Sequence, residues 1–449
     1  MEATLFPLPD AQPSEAKPAG PGKPRLNRPN RSQIEWRPVA LDSLLAEEHE
    51  ARLIWAWVEG LDLTVLYARI QAVEGQAGRT AIDPAILLAL WLYATLKGVG
   101  SARELARLCE EHLAYLWLCG GVSVNYHTLA DFRVEQADFL DQLLVQSIAA
   151  LMAEGLVSLE QVTQDGKKLR ASAGSSSFHR KKTLDEHLQQ AQAQVDQLRQ
   201  EVADRSHPPT QGQQAARQRA ARERQQRLEA AQRQLEAMEQ HAEQTGRAQQ
   251  DRKAGKERRA SETDPEARVM KMANGGFNPA YNAQFCTDGE ALLIAGLQLS
   301  QQGNDTGLAS PMLAEVQAHF GVMPKETWLD ASYFSRNEIV TLSHAGCTPY
   351  IAIPAKGPAP QKRFLPKKGD KPAVAACRVR MATEEAKEKL KKRAAVAELV
   401  HAVLDRCNLA RVRVRGLKKV RTVLLWFVLV HNWMRTRLLR KKLAEGATA

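Results

Sequence analysis

Apolar positions recur with helical spacing through the first third of the chain, from about Leu41 to Leu151. The segment Ala81 to Leu96 opens on Asp83-Pro84, a helix-starting pair, and carries an apolar run that predicts a buried helix. Ser101-Ala102-Arg103-Glu104 fits a capping box, so a second helix begins there. A third start falls at Thr128, with Asp131 three residues on. The gap of about 15 residues between the second and third helices is too long for an ordinary helix-turn-helix. The region reads equally as a DNA-end reader or as a structural scaffold.

At Glu160 the pattern changes to QVTQDGKKLRASAG, a strand ending in small residues. From about Lys181 to Arg259 the chain is rich in Gln, Arg and Ala. Within it Leu184, Leu188, Ala191, Val195, Leu198 and Val202 step by four and three, a heptad seam. A second seam follows at Leu228, Ala231, Leu235, Met238 and Ala242, after a break at His207-Pro208-Pro209. Two seams around a proline break predict an antiparallel helical hairpin, since an excursion from a domain must return to it. Two β-rich runs then flank Thr287-Asp288-Gly289-Glu290, a turn sequence. Leu308 to Phe320 reads as a helix, Glu326 to Leu329 as a strand and Asn337 to Ala345 as a helix. A Pro/Lys-rich loop precedes a mostly helical Thr383 to Lys442. Strands alternating with helices predict an α/β or α+β core.

Composition changes this picture in three ways. The apolar runs Ala85 to Leu96 and Val423 to Val430 fall short of the roughly 18 residues that span a bilayer, and the proline-dense N-terminus has no signal-like apolar core. The expectation is a cytoplasmic, nucleoid-associated protein with a disordered tail over 1–40 and a short tail over 443–449. Six well-separated cysteines with no C-x-x-C pair predict buried free thiols. Finally, the net charge of +11 is local: Ile351 to Lys442 holds 25 Lys/Arg against 6 Asp/Glu, so the remainder is acidic. So basic a segment points to a polyanion, because neutralised phosphates release counterions.

The candidate chemistry lies in three acids: Asp165 closing VTQD, Asp330 closing TWLD, and Glu398 beside Lys391, Lys392 and Arg393. The collinear segments TQDGKKLRASAG, TDPEARVMK, GGFNPAYNAQF, GNDTGLASPML, WLDASYFS, KKRAAVAELV and RVRGLKKV resemble the DDE transposases of bacterial insertion sequences. The resemblance runs from about Leu41 to Arg440, interrupted by the heptad hairpin. It implies an N-terminal helical domain (41–155), an RNase H-like mixed sheet flanked by helices (156–180 and 260–442) and an inserted helical coiled-coil hairpin (181–259).

The same resemblance implies that Asp165, in D-G-x-x-L, Asp330, in D-x-x-Y with Tyr333, and Glu398 hold two Mg²⁺ ions, with Mn²⁺ as a substitute. Mg²⁺ prefers oxygen ligands, and in-line phosphodiester cleavage uses a pair of such ions. The implied partners are element-end and target DNA, with a homodimer or higher oligomer on DNA and no membrane. Lys167, Lys168, Lys391, Lys392, Arg393, Arg406, Arg411, Arg413 and Arg415 are the candidate phosphate contacts. The chain departs from the family twice: Leu390 stands where a tyrosine is common, and Asp405, next to Arg406, where a lysine is usual. A catalytically inactive DNA-binding regulator and a nuclease without strand transfer are the other readings. Asp305 and Glu338 are the alternative acids: Asp305 follows a strand near the site but also reads as a turn with a helix cap, and Glu338 reads as a solvated helix residue, while His431-Asn432 reads as a satisfied core pair.

Overall fold

A computed structural model of the chain describes residues 40–72, 80–203, 211–246, 257–355 and 360–446, with 32, 38, 249 and 253 besides. The proline break at 207–209 and the N-terminal segment up to residue 31 lie outside the described residues.

Seven helices form the N-terminal part: α1 (Glu50–Glu59), α2 (Thr64–Tyr67), α3 (Pro84–Leu96), α4 (Ala102–Glu111), α5 (Leu113–Cys119), α6 (Tyr126–Glu135) and α7 (Ala137–Ala153). Asp83 caps α3 by accepting from Ala85 N at 2.8 Å, and every residue of α3 is buried. Ser101 caps α4 as the pattern predicts. The third start differs from expectation. Asn125 caps α6 by accepting from Thr128 N, so the helix begins two residues before Thr128. The long gap before it contains α5, which ends on Gly120 in the left-handed region.

The strand β1 (Gln161–Arg170) leads through β2 (Phe178–His179) into α8 (Lys181–Ala203) and α9 (Gln211–Gln244). Gln232 donates to Asp185, and Arg224 to Gln194, so partners descend along α8 as they ascend along α9 and the helices run antiparallel. Leu184, Ala191, Leu228, Ala231 and Leu235 form a separate small core with Ala260, as the seams predict. The excursion returns at β3 (Ala260–Ser261), where His179 pairs with Ala260.

The main sheet adds β4 (Arg268–Lys271), β5 (Phe277–Asp288), β6 (Ile294–Ser300), β7 (Glu326–Leu329) and β8 (Thr348–Ile351). β6, β5 and β1 are antiparallel, β1, β7 and β8 parallel, and β4 shares an edge of β5 with β6. This is the RNase H-like arrangement. β5 is buried along most of its length, which fits a central strand covered on both faces. Helices α10 (Ala309–Phe320), α11 (Arg336–His344), α12 (Pro372–Arg380), α13 (Glu384–Arg406) and α14 (Leu417–Gly446) complete the fold.

Helix α14 joins the two halves. It packs on α3, α6 and α7 on one side and on β6 on the other, with Val423 to Val430 buried throughout. Trp426 Nε1 donates to Arg133 O at 3.0 Å, and Asn432 exchanges two hydrogen bonds of 2.8 Å with the backbone of Ile294. His431, fully buried, meets Leu292 O at 2.8 Å through Nε2, so this pair belongs to the core as expected. The six cysteines are free and buried. Among the described residues no helix is long and apolar enough to cross a membrane.

Candidate active site

Parallel pairing of β1 with β7 ends at Thr163 opposite Trp328. Two residues further along each strand stand Asp165 and Asp330, on the same side by the two-residue period. Asp165 does not close its strand, as the pattern suggested. β1 runs on to Arg170 because β5 stays paired with it that far, and Asp165 lies opposite Phe285. What ends near Asp165 is the parallel partner, and the gap admits a helix.

That helix is α13. Lys389 fastens it to the sheet through Glu326 at 2.7 Å and Tyr350 Oη at 3.1 Å, with Glu385 of its own helix at 2.6 Å. One turn on, Arg393 Nη2 donates to Asp165 Oδ1 at 2.5 Å and reaches Asp330 Oδ2 at 3.4 Å. Among the described residues the buried Nε of Arg393 has no hydrogen-bond partner. His401 Nε2 lies 3.8 Å from Asp165 Oδ2, yet burial and the nearby Lys167 push this imidazole down to about 4. It is therefore neutral near pH 7, and the contact is not an ion pair.

A third carboxylate, Asp305, joins from the turn after β6. Asp305 caps no helix: α10 starts at Ala309, and its first-turn amide at Ser310 is held by Glu338 instead. The Asp305 carboxylate accepts from Asn282 Nδ2, Gln284 Nε2 and Ser332 Oγ, each at 2.7 Å. Ser332 Oγ also lies 2.5 Å from Asp330 Oδ1. A hydroxyl carries one proton, so it can serve only one of these two carboxylates at a time. Gln284 additionally accepts from the Tyr333 hydroxyl and from Gln164 Nε2. A Cβ on Gly166 would fall 2.4 Å from Gln284 Nε2 and 2.6 Å from Asp305 Oδ1. The D-G pair at 165–166 is thus the sequence signal of this close approach.

Burial raises Asp165 to about 6; Arg393 opposes the rise, while Asp330 and Asp305 add to it. Burial also lifts Tyr333 well above its ordinary value, with the three aspartates reinforcing the effect. Asp165, Asp330 and Asp305 therefore form one electrostatic unit of hard oxygen donors.

Glu398 makes no hydrogen bond or ion pair with this unit among the described residues. It is exposed, and it follows Arg393 by five positions, roughly 140° further around the helix. His401, about 60° from Glu398 on the same helix, also lies beside Asp165, so Glu398 sits on the flank of the face that α13 turns to β1. Glu338, expected to be solvated, is buried and accepts from the backbone N (2.6 Å) and the hydroxyl (2.8 Å) of Ser310, capping α10 from α11.

The other candidate basic residues lie on β1, on α13 and on the segment after it. Lys167 pairs with Asp405 at 2.9 Å, and Lys168 is half-buried on β1. Lys391, Lys392 and Arg406 are exposed on α13. Arg411, Arg413 and Arg415 are exposed, alternating with buried Val412 and half-buried Val414 beside the Arg170 end of β1. The run bends at Arg413 and Val414, so Arg413 lies against Gly100 while Arg415 Nε donates to Ser172 O at 3.3 Å.

Comparison with known families gives two matches. Residues 39–135 match the family described as Transposase domain (DUF772), and residues 356–437 match the family described as Transposase DDE domain. No curated protein and no solved structure matches.

Proposed function

We propose, for a chain that is a DDE transposase of the insertion-sequence type, that Asp165 and Asp330 hold the divalent cations with which it cuts its element ends and joins them to target DNA. The observation that carries this reading is the pair of aspartates at adjoining parallel strands, side by side under one guanidinium. The donor set fits a hard cation: three neighbouring carboxylates, no thiol, and one of them raised by burial and like charge. Two Mg²⁺ ions bound there, or Mn²⁺ in their place, would supply an activated oxygen nucleophile and a stabilised leaving oxygen.

The chain's own residues do the rest. Asp165 and Asp330 set the position of the reacting phosphate relative to β1 and β7. Gln284, Asn282 and Ser332 hold Asp305 in place, and Tyr333 anchors Gln284 from the buried side. Once the aspartates are neutralised, Arg393 is released to present its planar fork to a phosphate. Lys167, paired with Asp405, supplies a cation beside the helix position where the family usually carries a lysine. Lys168, Lys391, Lys392, Arg406, Arg411, Arg413 and Arg415 extend the DNA contact.

For the third metal-binding acid, the family resemblance assigns Glu398 and the geometry favours Asp305. In the domain reading, 41–155 contacts element ends, 156–180 with 260–442 is catalytic, and 181–259 mediates pairing of two subunits on DNA.

The test incubates the purified protein with DNA carrying its element ends and Mg²⁺ or Mn²⁺, then maps nicks and joints. Asp165→Asn and Asp330→Asn each abolish both products while end binding stays within several-fold. Loss of cleavage in Asp305→Asn with retention in Glu398→Gln assigns the third site to Asp305; the reverse assigns it to Glu398. Binding without metal-dependent nicking would establish an inactive DNA-binding regulator, and cut but unjoined DNA a nuclease.

A further inference from the structure

We propose that His179, His187 and Glu262, at the base of the helical hairpin, form a binding site for one divalent transition-metal ion of the zinc class, separate from the carboxylate site on the main sheet. His179 ends β2, His187 lies on the second turn of α8, and Glu262 directly follows β3. The pairing of His179 with Ala260, together with the hydrogen bond from Glu262 N to Ser177 O at 3.0 Å, brings the outgoing and returning chains into register.

The three side chains converge as a result. His187 Nδ1 lies 2.9 Å from Glu262 Oε2, and His179 Nε2 lies 3.7 Å from Glu262 Oε1. The two imidazole centroids are 5.1 Å apart, and one ligand atom from each residue falls within 4.8 Å of the others. Ligand atoms around a tetrahedral Zn²⁺, with bonds of ~2.0–2.1 Å, sit roughly 3.3 Å from one another. The group is thus already near ligating distance, and side-chain rotations that move ligand atoms by up to about 1.5 Å close the remainder. All three residues are half-buried, which leaves a solvent-facing position for a water as fourth ligand.

The donor types select the ion. Two imidazoles and one carboxylate suit zinc-like cations, whereas Mg²⁺ favours carboxylate and water oxygens, as at Asp165 and Asp330. Among the described residues this is the only set of three His, Cys, Asp or Glu whose ligand atoms all lie within 4.8 Å of one another; Asp165, Asp330 and Asp305 are spread wider. An ion held there ties the outgoing strand, the first helix and the returning strand at one point. It sets the angle at which α8 and α9 leave the sheet, which the small, alanine-containing core of the hairpin defines weakly on its own. The proposal is independent of the assignment of the cleavage site.

The test uses the full chain with Asp165→Asn and Asp330→Asn together, so that the carboxylate site does not report. After chelator treatment and its removal, Co²⁺ is titrated and followed by visible d–d absorption and by calorimetry, with Zn²⁺ as displacing ion. The expected result is one Co²⁺ per chain in a low-symmetry, four- or five-coordinate spectrum, displaced by one Zn²⁺. His187→Gln and Glu262→Gln, each confirmed folded by circular dichroism, weaken binding at least about tenfold, and His179→Ala does the same. Absence of binding, or affinity unchanged in these three variants, overturns the proposal.

Discussion

Replacing Arg393 with glutamine leaves Asp165 and Asp330 side by side with no cation between them. In the native chain the guanidinium touches Asp165 at 2.5 Å and Asp330 at 3.4 Å, with the Arg393 and Asp165 side chains 12% and 20% exposed. At a charge separation of about 4 Å and an effective dielectric constant of about 20, a single such pair is worth about 4 kcal/mol. The Asp330 pair is discounted because that side chain is 37% exposed and screened by water. A divalent cation entering the metal-free site must displace the guanidinium and so forfeits part of this attraction. If one third to two thirds is forfeited, Arg393→Gln binds Mn²⁺ roughly ten- to a hundredfold more tightly than wild type. The assay is Mn²⁺ titration of the DNA-free protein, with the free ion read by electron paramagnetic resonance. Cleavage of element ends should move the opposite way, since the phosphate contact is lost. Metal affinity that is unchanged or weaker in the variant would refute the view of Arg393 as an occupant that the cation displaces.

Other expectations follow from neighbouring parts of the molecule. Neutralising Arg411, Arg413 and Arg415 together lowers the log–log salt slope of DNA binding by roughly one unit per lost phosphate contact, and an unchanged slope would make this run a solvated edge. His431 is fully buried, and burial holds it down at about 4 against an ordinary 6.5. Its unfolded form gains a proton that the folded form refuses, so stability is full above pH 6.5 and falls as pH drops toward 4. The loss is about 2 kcal/mol at pH 5; His431→Gln should flatten this part of a urea-unfolding pH series, and an identical slope would exclude the histidine. Replacing Lys181 to Arg259 by a short Gly/Ser linker leaves cooperative thermal melting intact but impairs assembly of the two-ended DNA complex. Loss of cooperative melting would place the hairpin in the main core.

Elements whose character is local were legible in the sequence. The apolar run behind Asp83-Pro84, the paired heptad seams and the β-rich runs around the Thr287–Glu290 turn all carry their own periodicity. Short elements were not. β8 is four residues including Pro349, β4 is four residues on an edge, α5 hides in what reads as a long gap, and α12 begins at Pro372 after loop-like text. These acquire their form from neighbours distant in the chain.

The same division holds for the candidate site. Asp165 and Asp330 stand in recognisable motifs, but Asp305 joins them only because Asn282, Gln284 and Ser332 hold its carboxylate, and none of those contacts is local. Gly166 was the available clue, a glycine where any side chain would strike Gln284 and Asp305. Where Glu398 stands depends on the rotation of α13, which Lys389 and Arg393 set through partners on other strands.

The position of α14 also governs the order in which the molecule can be made. The ribosome delivers α3, α6 and α7 first, yet the wall they pack against begins at Leu417, about 260 residues after α7 ends. At ~5–20 residues per second, the N-terminal helices wait roughly 13–52 s for that wall to emerge. Throughout this interval the apolar face that later meets Val423 to Val430 is uncovered, as is the backbone of Ile294 that Asn432 completes. A message truncated shortly before Leu417 therefore yields a chain in which both the earliest helices and the sheet lack a side, and neither half escapes the defect.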